Sequence, residues 1–257
     1  RQEGSAFAES SFLFKASFCA MIMPVEGKEE GALVPSRRVL TLFLAVEAVL
    51  YAAFLTWDLT IGGRGSNPIK FAGILLCLGY SLYLARRGGS RLVPAALTLT
   101  SLADVFLLLL DTHYALGVIL FCLVQGLYLV RIYRCNGGRS LWGLRVALFL
   151  LALLVLKGLG LLIPLNILAL FYFTNFLCNA LASLCCSGRS MKLFSVGLWL
   201  FLCCDLCVGL FQSPELISPA VEEFVRIGMW LFYLPAQVLI ALSGANQPSG
   251  GTPYETK

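Results

Sequence analysis

Two acidic residues sit where an acid is costly. Asp104 lies in "LTLTSLADVFLLLLD" (97–111) and Asp205 in "FLCCDLCVGLF" (201–211), both inside apolar runs of helical length. An ionisable side chain in such a run marks function by default. Two acids near one another cannot both ionise cheaply, so one holds a proton while the other stays charged. That arrangement provides a general acid and a general base in one site, the pairing used on acetals.

The pairing requires a common depth. Counted along their runs, each acid lies about 12 residues in, roughly 18 Å from the edge of the bilayer. Small residues precede both, Ser-Leu-Ala before Asp104 and Cys-Cys before Asp205, and small residues let helices approach closely. Other polar residues share the runs. Glu47, Lys70 and Lys157 carry charge. Gln125, Asn166, Asn175, Asn179 and Gln237 bring amides, and Tyr80, Tyr83, Tyr128, Tyr172 and Tyr233 bring hydroxyls. Lys157 is near a run end and is expected to snorkel to the interface. His113 and Asp111 fall in a short break and are expected to be solvated.

These residues need a scaffold, and composition defines it. The chain has 257 residues, 59% hydrophobic and 13% charged, with mean hydropathy +0.85. A soluble domain needs roughly 25% charged residues. Apolar runs near the ~20 residues of a bilayer span recur through the chain, without the alternation of barrel strands. The expected fold is all-α, a polytopic helical bundle of eight transmembrane helices at about 38–57, 68–85, 92–111, 114–133, 142–162, 165–184, 193–212 and 222–243. Turn-forming stretches such as "TIGGRGSNP" and "RCNGGRS" separate them.

Charge sets the orientation. Arg37, Arg38, Arg86, Arg87, Arg91, Arg131, Arg134, Arg139, Arg145, Arg189 and Lys192 fall at alternate breaks. Positive loops stay inside, so both termini are expected in the cytoplasm. Residues 1–37 read as a cytoplasmic segment, partly an upstream extension before Met21 or Met23, and 244–257 as a disordered tail. The net charge of +5 reflects these loops and not nucleic-acid binding. The ten cysteines mostly lie in apolar runs and read as small packing residues. With one histidine and no CxxC, neither metal nor cofactor is expected. The class is a multi-pass protein of the cell membrane, with oligomeric state open. From the residues alone, it is an enzyme, a small transporter with an Asp/Glu/Lys relay, or a non-catalytic lipid binder.

A resemblance narrows this. In order along the chain, "NPIKFAGILLC" (67–77), "LTSLADVFLLL" (99–109), "YALGVILFCLVQGLYLVRIY" (114–133), "GLWLFLCCDLCVGLF" (197–211) and "LFYLPAQVLIALS" (231–243) resemble the YhhN-like integral membrane proteins, the lysoplasmalogenase family. The resemblance implies hydrolysis of the vinyl-ether bond of lysoplasmalogens to a fatty aldehyde and a glycerophospho-head group, with a lysophospholipid substrate and no metal. It carries over Asp104 and Asp205 as catalytic acids, and Lys70, Tyr233 and Gln237 as further site residues. Lys70 is expected to hold the phosphate. Glu47, Gln125 and Asn175 complete the candidate substrate-binding set. The sequence departs from the family pattern at Ala103 (usually Gly), Cys204 (usually Ser) and Gln125 (often His).

Overall fold

In the computed structural model, which describes residues 36–136, 141–213 and 217–245, the apolar runs form eight α-helices. They are α1 (Arg37–Thr60), α2 (Asn67–Arg86), α3 (Leu92–Asp104), α4 (Tyr114–Cys135), α5 (Trp142–Gly158), α6 (Pro164–Ser183), α7 (Arg189–Phe211) and α8 (Pro219–Leu242). Most of the expected segments 1–37 and 244–257 lies outside the described residues. Among the described residues, seven helices are long and apolar enough to cross a membrane, α3 being counted with its extension to Leu110. The other, α5, has 17 residues and is shorter than the run expected over 142–162.

Helices α2, α3, α4, α6, α7 and α8 pack in sequence around a closed ring, and α3 also touches α8 across it. Outside the ring, α1 lies against α2 and α8, and α5 lies against α6. The ring interior is filled by Phe176, Phe194, Phe201, Leu97 and Tyr128, all almost completely buried. The outward faces are apolar as well: Leu42, Val49, Leu151 and Leu154 are 60–67% exposed. Such a surface is unsuited to water and matches hydrocarbon.

Three local features depart from regular helix. First, the run after Asp104 does not continue as α-helix, as the expected span 92–111 required. Its last six residues, Val105–Leu110, wind in wider π turns. Such turns often mark functional sites. Second, Pro235 lies inside α8 and has no N–H to give the Leu231 carbonyl. The Tyr51 hydroxyl of α1 donates to that carbonyl instead, at 3.2 Å. Third, the α3–α4 turn has left-handed backbone at Asp111 (φ 50°) and His113 (φ 56°). Asp111 there accepts from the Tyr114 hydroxyl at 2.7 Å and pairs with Arg64. Tyr114 and then Arg64 hold the Asp111 carboxyl below its usual value. A lowered value means the clasp is intact at neutral pH and loosens only as the pH falls below about 4.

The α2–α3 loop closes onto the end of α8. The Ser90 N–H donates to the Gly244 carbonyl at 2.9 Å. A Cβ on Gly89 would collide with that same carbonyl and come within 2.8 Å of the Leu84 carbonyl. Backbone cannot yield as a flexible side chain does. Gly89→Ala is therefore expected to destabilise the bundle by about 1–3 kcal/mol, seen as a lower unfolding temperature in detergent.

Candidate active site

Asp104 is the last residue of α3 before the π turns, and it is 5% exposed. The Tyr233 hydroxyl of α8 reaches both its oxygens, at 2.9 and 2.7 Å. Asp205, in the C-terminal half of α7, is half-buried. Its Oδ2 accepts from the Tyr172 hydroxyl of α6 at 2.5 Å. Each acid is thus held from a different helix by one phenol. The two phenols belong to one aromatic cluster. Phe201, one turn before Asp205, lies 5.4 Å from the Tyr233 ring and 5.0 Å from Phe176, which lies 5.8 Å from Tyr172. The acids therefore share one neighbourhood, with Phe201 between their partners.

Lys70 lies beside this neighbourhood. Its Nζ is 2.7 Å from Asp58 Oδ2 and sits 4.2 Å from the Trp230 ring centroid and 5.7 Å from that of Phe54. Trp230 is in turn 5.7 Å from Tyr233. Ser66 donates to the other Asp58 oxygen. Asp58 corrects a sequence expectation, which placed it in a loop after a span ending at residue 57. Helix α1 runs on to Thr60, and Asp58, 8% exposed, is the buried counter-ion of Lys70.

The remaining candidates divide. Glu47, 4% exposed, accepts from the Cys77 thiol at 3.2 Å through Oε1. It forms part of an apolar groove between α1 and α8, about 320 Å³ in volume, with Leu44, Tyr51, Leu234 and Pro235. Gln125 and Asn175 do not join the aspartates directly. They belong to a network in which Asn179 donates to Gln125 Oε1 at 2.9 Å, while Arg145 donates to Asn175 Oδ1 at 2.9 Å and to Asn179 Oδ1 at 2.6 Å. Arg145 reads from the sequence as a loop charge. Here it is buried in the first turn of α5 and tethers that peripheral helix to α6. Gln237 is completely buried on α8, one turn past Tyr233. Lys157 and His113 are both exposed, as expected for a snorkelling lysine and a solvated loop.

Tyr172 has no distinguishing signal in the sequence, where it is one hydroxyl among five. Its value here is testable. Tyr172→Phe keeps the ring in its cluster and removes only the bond to Asp205. A hydrogen bond to an uncharged partner is worth about 0.5–1.5 kcal/mol. If the acids are catalytic, the expected result is a roughly two- to tenfold loss of kcat with little change in unfolding temperature, read from initial rates and a melting curve.

An all-helical bundle with a lipid-compatible exterior and two tyrosine-bound aspartates inside defines a multi-pass membrane protein with an acid-bearing interior. Residues 66–244 match the model of the YhhN family, and the chain belongs to that family. Comparisons with curated proteins and with solved structures find no match.

Proposed function

We propose that this protein hydrolyses the vinyl-ether bond of lysoplasmalogens, releasing a fatty aldehyde and a glycerophospho-head group, by acid/base catalysis from Asp104 and Asp205. The observation that carries the proposal is the pair of aspartates, each oriented by a buried tyrosine and both facing one aromatic cluster. Membership of the YhhN family adds to it.

The chemistry suits these groups. A protonated carboxyl gives its proton to the distal vinyl carbon, forming an oxocarbenium ion. An ionised carboxylate stabilises that cation and activates the water that attacks it. The resulting hemiacetal collapses to aldehyde and alcohol. The Phe201 cluster excludes bulk water and gives the alkenyl chain an apolar lining. Lys70, one aromatic ring away from Tyr233, takes the phosphate, with Asp58 holding the ammonium in place. Glu47, Gln125, Asn175 and Tyr233 complete the substrate-binding set, and Gln237 stands one turn past Tyr233 on the same helix.

The catalytic unit is residues 38–243, placed in the cell membrane with eight spans and both termini in the cytoplasm. Helix α5 counts as the eighth span. Its 17 residues rise about 26 Å, close to the hydrocarbon thickness of about 30 Å.

The test uses purified protein and two substrates that differ in one double bond. The 1-alkenyl lysophospholipid is expected to release aldehyde. The saturated 1-alkyl analogue, which has no vinyl carbon to protonate, is expected to remain intact. Equal cleavage of both would contradict the mechanism, and flux of either lipid across vesicles without product would favour a transporter.

A further inference from the structure

Hydrolysis needs a water molecule, and the interior that holds Asp104 is otherwise apolar. The register of α3 against α8 shows where that water is held. Asp104 faces Tyr233. Val93, eleven residues earlier on α3, meets Gly244, eleven residues later and just past the end of α8, with a Cβ on Gly244 lying 3.6 Å from Val93. The two antiparallel helices therefore stay in step over this stretch. One turn in from the Asp104–Tyr233 pair, the same register sets Thr100 opposite Gln237.

Thr100 and Gln237 are both completely buried. Thr100 Oγ1 and both amide atoms of Gln237 have no hydrogen-bond partner among the described residues. Buried polar atoms are nearly always partnered, by protein or by ordered water. Three such atoms at one level are what a buried water needs, since it makes about three hydrogen bonds. Direction adds to the case. Helical Cα–Cβ bonds tilt toward the helix N-terminus. Asp104 therefore leans toward Thr100, and Gln237 leans toward Tyr233 and Asp104. Asp104 and Gln237 therefore lean into the same level between the two helices, with Thr100 at its base.

We infer that Thr100 and Gln237 form a buried water site beneath Asp104, and that this water is the nucleophile of the reaction; the second part rests on the hydrolase reading. The Gln237 amide N–H and the Thr100 hydroxyl donate to the water oxygen, and the water donates to Asp104. The single hydroxyl proton of Tyr233 is shared between both oxygens of Asp104, and the water lies beside this acid and not beside Asp205. The site thereby assigns the roles of the acids. Asp205 gives its proton to the vinyl carbon. The water oxygen bonds to the oxocarbenium carbon as Asp104 takes one water proton. In the collapse, Asp104 returns that proton to the ether oxygen as its bond to carbon breaks, and the hemiacetal hydroxyl proton goes back to Asp205. Vinyl ether and water are consumed, aldehyde and alcohol are formed, and both acids end as they began. Thr100 and Gln237 touch neither acid proton nor substrate and are positioning residues.

The test has two readouts. An experimental structure of the full-length protein, at a resolution that shows ordered water, is expected to place water within about 3 Å of Thr100 Oγ1 and Gln237. A dry site, or Thr100 and Gln237 bonded only to each other or to protein, overturns the inference. Thr100→Val and Gln237→Met, close in shape, are then assayed on the 1-alkenyl lysophospholipid. A kcat lower by about tenfold or more at unchanged KM supports the nucleophile assignment. Unchanged kcat, or a change confined to KM, overturns it. If the wild-type protein gives no aldehyde, the hydrolase reading fails together with the nucleophile role, and the water density alone decides whether the site exists. Folding of each variant is checked by its elution as one species.

Discussion

Asp104→Asn and Asp205→Asn are each expected to lower kcat for aldehyde release by about 10²–10⁴-fold, the usual worth of a positioned acid or base. Asparagine keeps the shape of the side chain and an oxygen that accepts from Tyr233 or Tyr172, so the bundle is expected to fold. It cannot give or take the required proton. The two losses should not multiply. Groups that act as one unit lose most of their effect with the first removal, so the double variant should be scarcely slower than the worse single one. The measurement is initial aldehyde release at saturating substrate, beside a melting curve for each variant. Full activity in both single variants would remove the two-carboxylate mechanism.

The second large effect concerns stability. Lys70 and Asp58 are 4% and 8% exposed and 2.7 Å apart. Removing one partner of a buried pair leaves a charge without compensation and costs about 3–5 kcal/mol. Asp58→Leu is therefore expected to lower the unfolding temperature by roughly 10 °C. Adding Lys70→Met to Asp58→Leu replaces the pair by apolar side chains and should return most of the stability. Activity separates the two roles of Lys70. If it holds the phosphate, the stable double variant should have a raised KM while a rate remains at saturation. A double variant with wild-type KM would restrict Lys70 to structure. A double variant as unstable as Asp58→Leu would show that the fold depends on the ion pair itself.

The sequence exposes some of this site and hides the rest, for physical reasons. Asp104 and Asp205 stand out because a carboxylate amid Leu and Phe is expensive. Their phenol partners do not stand out, because tyrosine is an ordinary residue of membrane helices. Tyr172 and Tyr233 become special only when α6 and α8 bring them to the acids. Asp58 is misplaced by a small error with a large consequence. Helix ends are uncertain by one or two residues, and Asp58 falls just past the expected end of its span. Continuing the helix to Thr60 turns a loop charge into the partner of Lys70. Arg145 is hidden by the same rule that orients the chain: positive charge at a span end reads as a loop residue, yet this one turns inward to Asn175 and Asn179. The π turns after Asp104 have no sequence signal, since "VFLLLL" contains no helix breaker. Thr100 and Gln237 are visible as residues. Only the α3–α8 register makes them a pair.

The central claim is that a vinyl carbon is protonated in this bundle and water then adds. Hydrolysis in D₂O tests it most directly. The aldehyde, reduced as it forms and examined by mass spectrometry, should carry one deuterium on the carbon next to the carbonyl. Aldehyde without that deuterium, or no aldehyde from folded wild-type protein, would contradict the account.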